Sequence, residues 1–281
     1  MLNALTVDVE DWFHVHAFSS EFPMSTWDSQ RARVLRNTIK TLEILKEHDT
    51  LATFFVLGWV AEKHPEVVAM IQDQGHEIAS HSQNHRLVYD MEREEFKRDL
   101  QQSILHIEQV TKSTVRGYRA PCFSIKPEVQ WVWEVLSECG IEYDSSVFPV
   151  RHDTYGSPSA PRFAYRIEPT EGISILEIPP STVHTMGMNI PVAGGGYLRM
   201  FPYWFIRRSI RSINAEGHPA VIYFHPWELD PDQTRVKSNL KSRFRHYTNL
   251  RSFESKLRRL LVEFRFSTLS NAFERTISRV S

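Results

Sequence analysis

Five polar segments of this chain carry the side chains that a metal-assisted hydrolase needs. Each follows an apolar, β-branched or aromatic run, and in chain order they are Asp8-Val9-Glu10-Asp11, His81-Ser82-Gln83-Asn84-His85, Arg119-Ala120-Pro121, Asp144-Ser145-Ser146 and His225-Pro226-Trp227-Glu228. Carboxylates, imidazoles and a guanidinium can together bind a metal, activate water and protonate a leaving group when they meet in one pocket. The segments therefore predict a hydrolytic site, provided that the strands before them converge.

The first and second segments supply the candidate metal ligands. His81 and His85 are four residues apart, a spacing that lets both imidazoles face one ion. Catalytic zinc takes three protein ligands and leaves a position for water, so a carboxylate is still required. Asp8, Glu10 and Asp11 are available after the first apolar run, where three like charges need a cation or an arginine nearby.

The remaining segments supply a positioning group and an acid. Arg119 lies at an apolar strand end, where a buried guanidinium needs an anionic partner. Asp144 begins an Asp-Ser-Ser sequence that also fits an Asx-turn. His225 ends an apolar run beside Trp227, which suits a general acid with a pKa near neutrality. The glycine-rich run Gly194–Tyr197 allows either a close backbone approach to a ligand or a plain turn.

Strands and helices are predicted to alternate along most of the chain. Apolar runs predict strands at Leu2–Val9, Ala52–Leu57, Glu77–Ser80, Val115–Tyr118, Ile173–Ile178, Ala220–Phe224 and Phe264–Leu269. Helical spacing of apolar residues predicts helices at Val34–His48, Pro65–Gly75, Glu92–Thr111, Pro127–Cys139, Phe201–Ala215 and Phe253–Glu263. Apart from its one strand, the interval 148–199 is predicted to be loop. The alternation predicts parallel strands with crossover helices, as a barrel or an open sheet, and both place ligands at the carboxyl ends of the strands.

Composition predicts one large domain. The 281 residues are 41% hydrophobic and 24% charged, and the net charge of -1 argues against a nucleic-acid partner. The charge is uneven, because Arg235–Ser281 holds 12 basic and 3 acidic residues. Cys122 and Cys139 make neither a disulfide framework nor a CxxC metal pair. Because we find no signal-peptide pattern at the start and no run of 18 apolar residues, we expect a cytoplasmic protein.

Seven motifs, taken in order, carry a resemblance to a known family. They are Leu5–Asp11, Thr53–Val56, Gly75–Glu77, His81–His85, Arg119–Pro121, Tyr143–Ser146 and Phe224–Pro226. In content and order they resemble the polysaccharide deacetylase family (NodB homology, carbohydrate esterase 4), and especially its subgroup linked to bacterial exopolysaccharide and exosortase loci. The resemblance implies an α/β fold, a distorted (β/α)7 TIM-like barrel in residues 1–230. A basic, largely helical C-terminal extension, residues 231–281, would pack on the same domain.

The resemblance also implies a role for each matching residue. Asp8 would be the general base, oriented by Arg119, and zinc would be bound by His81 and His85. His225 would be the general acid, oriented or tuned by Asp144. Substrate would contact Pro121 and Trp227.

One position departs from the family pattern. The family's second Asp, its metal carboxylate, is Val9 here, so its role would pass to Glu10 or to Asp11. Glu10 shares the strand face of Asp8 if the strand continues, and Asp11 is favoured if the chain turns after Val9. Both residues remain candidate metal ligands at this point.

The implied activity is removal of N-acetyl groups from the N-acetylhexosamine residues of a bacterial polysaccharide, with Zn2+ as the first choice of metal. The substrate would be the polymer or a lipid-linked oligosaccharide, and the basic tail would contact anionic headgroups at the inner membrane face. Two other functions fit the same residues. One is an allantoinase-like or cyclic-imide amidohydrolase of the same superfamily, and the other is a catalytically inactive polysaccharide-binding protein.

Overall fold

A computed structural model describes residues 1–153 and 155–277 of the chain. Its strands are β1 (Leu2–Val9), β2 (Thr53–Val56), β3 (Glu77–Ser80), β4 (Gly117–Tyr118), β5 (Tyr143–Asp144), β6 (Tyr165–Ile167), β7 (Ile175–Glu177), β8 (Thr182–Thr185), β9 (Met188–Pro191), β10 (Val221–Phe224) and β11 (Arg265–Ser267). Its α-helices are α1 (Val34–Glu47), α2 (Gly58–Lys63), α3 (Pro65–Asp73), α4 (Arg93–Thr111), α5 (Val132–Glu138), α6 (Gly195–Met200), α7 (Tyr203–Ala215), α8 (Leu240–Tyr247), α9 (Leu250–Glu263), α10 (Leu269–Ala272) and α11 (Glu274–Ile277).

A curled, mostly parallel sheet forms the centre of the molecule. Its strand order is β10-β1-β2-β3-β4-β5-β7-β6, with β11 beside the start of β1, and only the β6–β7 pair is antiparallel. The seven strands from β10 to β7 are the parallel set expected of a (β/α)7 barrel, which confirms the predicted fold class. The segment after β7 approaches β10 from the other side, since the amide of Ser181 donates to Val221 O at 3.1 Å.

The long amphipathic helices and the strands β1, β2, β3 and β10 were predicted well, whereas the short elements between residues 148 and 199 were not. The helices α1, α3, α4 and α7 lie within a few residues of their predicted positions, because several apolar residues mark one face of each. The interval 148–199 was predicted to be loop beyond its one strand, but it also contains β6, the β8–β9 hairpin and the start of α6. These elements of three to six residues carry too few apolar positions for a period to be recognised.

The basic C-terminal segment is built into the same core. β11 pairs with β1, and α9 buries Leu250, Phe253, Leu257, Leu260 and Leu261. The last four residues of the predicted extension, 278–281, lie outside the described residues. Among the residues that the structure does describe, we find no helix both long and apolar enough to cross a bilayer.

Candidate active site

Glu10, His81 and His85 form a buried group that can hold a metal ion. One ligand atom of each lies within 4.8 Å of the others, and Oε2 of Glu10 is 2.7 Å from Nε2 of His85. Apart from that contact, Oε2 of Glu10 receives no hydrogen bond within the described part of the chain. Nδ1 of His81 lies 2.8 Å from the carbonyl oxygen of Arg119 and donates to it, so Nε2 carries the lone pair. The three side chains fit a divalent metal, because two histidines and a glutamate are a typical catalytic zinc set.

The protonation of this group also suits a metal. Burial lowers the pKa of His81 to about 4, which keeps its ring neutral. Burial acts to raise the pKa of Glu10, but the nearby His85, His225 and His81 together outweigh it, and the pKa lies below its ordinary value. A neutral imidazole and an ionised carboxylate are the forms that bind metal.

Asp11, the other candidate metal carboxylate, is engaged elsewhere. Its Oδ2 accepts from the backbone amides of Arg33 at 2.5 Å and Val34 at 2.8 Å, and its Oδ1 accepts from the amide of Trp12 at 2.8 Å. Burial raises the pKa of Asp11 to about 6. Asp11 thus caps the start of α1 from a distant part of the chain, as an N-cap side chain would.

Asp8 and Arg119 form a buried ion pair beside the candidate metal group. Nη1 of Arg119 donates to Oδ1 of Asp8 at 2.6 Å and to Oγ1 of Thr6 at 2.8 Å. The rest of the guanidinium donates to the carbonyl and the hydroxyl of Ser145, and its plane lies 4.1 Å from the ring centroid of Phe55. These contacts hold the carboxylate of Asp8 in one orientation.

His225 lies at the end of β10 and faces both carboxylates. Its Nε2 is 3.5 Å from Oε1 of Glu10 and 4.0 Å from Oδ2 of Asp8, while its Nδ1 is 3.1 Å from Oε2 of Glu228. Burial acts to lower the pKa of His225, but the hydrogen bond to Glu228 and the charges of Glu10 and Asp8 raise it to about 9. The imidazole is therefore protonated near neutrality, and a cation bound at Glu10 would reduce this effect.

Glu228 is in turn held by Arg199, on the helix that begins in the glycine-rich run. Nε of Arg199, on α6, donates to Oε1 of Glu228 at 2.6 Å, and both side chains are buried. A Cβ on Gly195 would overlap the carboxylate of Glu228, and a Cβ on Gly194 would overlap the ring of Tyr223. The glycines of this motif are therefore needed for close approach to protein side chains.

The predicted role of Asp144 does not fit its surroundings, because Glu228 occupies the position on His225 that Asp144 was expected to take. Both oxygens of Asp144 accept from Ser146, from its amide at 2.9 Å and its hydroxyl at 2.6 Å. Asp144 therefore forms the Asx-turn that its Asp-Ser-Ser sequence also fits. The hydroxyl of Ser146 then accepts from the amide of Ala120 at 2.7 Å, so Asp144 supports the loop that follows Arg119.

A cavity of about 430 Å3 opens over these groups. It is bordered by Asp8, His81, His85 and His225, by Cys122 and Phe123, and by Lys241 and Arg245 of α8. The two predicted substrate contacts are absent from its lining. Pro121 is buried, and Trp227 lies behind the site, where its Nε1 donates to Oε1 of Glu10 at 3.2 Å.

Sequence reasoning missed three groups of this site. Glu228 is the last residue of the polar segment that begins at His225. Its position three residues after His225 fits a capping interaction, which could have indicated that the two side chains are in contact. Arg199 and Lys241 carried no comparable signal, because each reaches the site through a distant helix.

Parts of the chain are similar to known proteins. Residues 21–143 match the family model of polysaccharide deacetylases, and residues 145–274 match a domain of unknown function, DUF3473. A 66-residue stretch, 24% of this chain, is 38% identical to 24% of a peptidoglycan-N-acetylglucosamine deacetylase of Bacillus cereus. An 80-residue stretch, 28% of this chain, is 35% identical to 38% of a chitooligosaccharide deacetylase of Azorhizobium caulinodans. The matched stretches span less than half the length of these curated relatives.

The fold has a solved counterpart. A crystal structure from Mycobacterium smegmatis, given as a candidate polysaccharide deacetylase, aligns with a TM-score of 0.65 at 19% identity, over 99% of this chain and 90% of that one. At this identity the likeness concerns the fold alone.

Proposed function

We propose, from the premise that this chain belongs to the polysaccharide deacetylase family through residues 21–143, that it hydrolyses the N-acetyl groups of N-acetylhexosamine residues in a polysaccharide. The observation that carries the proposal is that Asp8 and His225 line one cavity, each held by a partner behind it. Asp8 is paired with Arg119 and His225 with Glu228, and Nε2 of His225 lies 4.0 Å from Oδ2 of Asp8 and 3.5 Å from Oε1 of Glu10.

The metal would be held by Glu10, His81 and His85. Bound there, a divalent ion such as Zn2+ would polarise the acetamide carbonyl and lower the pKa of a water molecule. The side-chain set is supported by its buried ligand atoms and by the hydrogen bond that orients His81.

The protein's own groups would move the protons. Asp8, held by Arg119, would take a proton as water attacks the acetamide carbon. The backbone amide of Phe123 already donates to Ala120 O, which leaves the amide of Cys122, at the cavity wall, as the donor to the developing oxyanion. Protonated His225 would then deliver its Nε2 proton to the leaving amine, giving acetate and a free amino sugar.

Asp8→Asn should lower kcat for deacetylation by about 100-fold or more, because the amide cannot accept the proton. Acetate release from a chitooligosaccharide measures it, with Asp28→Asn, an exposed aspartate, as the matched control. If both variants had the wild-type rate, Asp8 would not be the general base. Ring opening of allantoin or a cyclic imide without acetate release would favour the amidohydrolase alternative, and binding of the oligosaccharide without turnover would favour the inactive binding protein.

We further propose that α8 contacts an anionic membrane and that the substrate is lipid-linked. Leu240 and Phe244 lie one turn apart on α8 with exposed fractions of 81% and 63%. The sequence has no acidic residue from 233 to 253, and Lys241 and Arg245 on α8 are exposed and share one carboxylate, that of Asp153. Each cation near an anionic surface contributes about 1 kcal/mol, and the exposed apolar pair adds burial.

Flotation with liposomes tests this contact. The wild-type protein should float with vesicles that contain phosphatidylglycerol and much less with phosphatidylcholine vesicles. The double variant Leu240→Ser/Phe244→Ser should lose most of that binding, whereas Trp204→Ser, an exposed aromatic of α7, should not. Equal flotation of the wild-type protein and the double variant would contradict the proposed contact.

A further inference from the structure

Trp227 lies behind the catalytic cavity and contacts two of its groups. The residue belongs to the one-turn helix Pro226–Leu229, directly after β10, and its side chain is buried. The edge of the indole ring donates from Nε1 to Oε1 of Glu10 at 3.2 Å. The face of the same ring stacks on the imidazole of His225, with ring centroids 5.0 Å apart and 21° between the planes. One side chain therefore contacts both the candidate metal carboxylate and the candidate general acid.

The two oxygens of Glu10 have different surroundings because of this indole. Oε1 accepts from Nε1 of Trp227 and lies 3.5 Å from Nε2 of His225. Oε2 lies 2.7 Å from Nε2 of His85 and receives no other hydrogen bond in the described part of the chain. A donor on one oxygen of a metal-binding carboxylate orients the other oxygen towards the metal. A glutamate side chain loses much rotamer freedom when it is fixed, so a donor that fixes it beforehand favours metal binding.

The indole ring is itself held in place by α8. It stacks on the imidazole of His246, with ring centroids 4.2 Å apart and 15° between the planes. Burial lowers the pKa of His246 to about 3, so this imidazole is neutral. Its Nε2 lies 2.6 Å from Oε1 of Gln233, and Nε2 of Gln233 donates to the carbonyl oxygen of Trp227 at 2.9 Å. Stacking and hydrogen bonding together keep the indole N–H directed at Glu10.

We propose that Trp227 is a positioning residue for the metal carboxylate, whose Nε1–H holds Oε1 of Glu10 and leaves Oε2 to bind the metal ion. The proposal rests on the metal group of the proposed function. Replacing a residue that is hydrogen-bonded to a metal ligand typically lowers metal affinity by about 10- to 100-fold. The fixed indole therefore accounts for part of the affinity of this site.

Trp227→Phe tests the proposal, because it removes the N–H and keeps an aromatic ring for stacking. The matched control is Trp133→Phe, which shortens a buried tryptophan of α5 that does not border the catalytic cavity. We would measure the Kd for Zn2+ by competition with a chelator, and the melting temperature of each metal-free protein. Trp227→Phe should bind Zn2+ at least about tenfold more weakly than the wild-type protein. Trp133→Phe should keep the wild-type Kd, although both variants lose core packing and melt at lower temperatures.

The indole N–H signal of Trp227 reports on the hydrogen bond directly in the metal-free protein. In a nitrogen–proton correlation spectrum with assigned indole signals, Glu10→Gln should move the signal of Trp227, because an amide oxygen is a weaker acceptor than a carboxylate. The signal of Trp133 should stay in place. Adding Zn2+ to the wild-type protein should likewise move the signal of Trp227 and leave that of Trp133 unchanged. A purely structural role in the core would leave both signals insensitive to Glu10.

Each result decides for or against the role of Trp227. Equal Zn2+ affinity in the two phenylalanine variants, or a Trp227 signal that Glu10→Gln does not move, would overturn it. Weaker Zn2+ binding by Trp227→Phe, together with no acetate release by the wild-type protein, would support the role and contradict the proposed deacetylation. A wild-type protein that binds no divalent ion would overturn both the metal group and the role of Trp227.

Discussion

Replacing Glu228 by glutamine should lower kcat for deacetylation by about 100-fold and change KM little. Three donors converge on this carboxylate: Nε of Arg199, and the amide and Nδ1 of His225. Glutamine offers one acceptor oxygen in place of two, so it cannot satisfy them all. His225 would lose the contact that keeps its Nδ1 protonated and its Nε2 directed at the cavity, and the orientation of an imidazole acid is worth orders of magnitude in rate.

Two further variants separate this effect from a loss of stability. Glu216→Gln removes an exposed partner of Arg162 and should leave both kcat and the melting temperature nearly unchanged. Arg199→Lys keeps a cation beside Glu228 but gives up hydrogen bonds to α8, so it should lower the melting temperature more than kcat. A folded Glu228→Gln protein with wild-type kcat would show that Glu228 does not position the acid.

Glu10→Gln should abolish stoichiometric metal binding, while Asp11→Asn should leave it intact. An amide is a poor metal ligand, so the affinity for the metal should fall by more than the roughly 10–100-fold that is typical when a residue hydrogen-bonded to a metal ligand is replaced. Asp11→Asn leaves the three ligand atoms in place, but it puts an amide group among three backbone donors and should cost about 1–3 kcal/mol of stability. Metal content of the purified proteins and their free energies of unfolding in urea measure the two effects.

The opposite pattern would reassign the carboxylate. Metal retained by Glu10→Gln and lost by Asp11→Asn would place Asp11 in the metal group. A wild-type protein that holds no divalent ion after purification and loses no activity with a chelator would remove the metal from the proposed function.

The sequence could predict which strand ends would meet, because parallel strands place their carboxyl ends at one edge. Asp8, His81, Arg119 and His225 are brought together on that basis. It could not choose between Glu10 and Asp11, since the choice depends on a contact of Asp11 with the amides of residues 33 and 34, more than twenty residues away. The decisive information was the packing of α1 against the end of β1.

The partner of His225 was misjudged for a similar reason. Asp144 lies at a strand end, which made it a reasonable expectation, yet its carboxylate is used locally by Ser146. Arg199 reaches Glu228 only because two glycines let α6 approach β10 closely. Local sequence patterns report on secondary structure, whereas the contact of Arg199 with Glu228 depends on how a helix and a strand from distant parts of the chain are placed.

Arg199 holds α8 in place at the wall of the cavity before substrate binds. Besides its bond to Glu228, it donates to the carbonyl oxygens of Arg245, His246 and Thr248 at the end of α8. Moving α8 away from the cavity would strip those bonds from a buried cation, and each hydrogen bond to a charged group contributes about 1.5–3 kcal/mol. The wall is therefore preorganised, and a saccharide need not spend binding free energy on closing the pocket around itself.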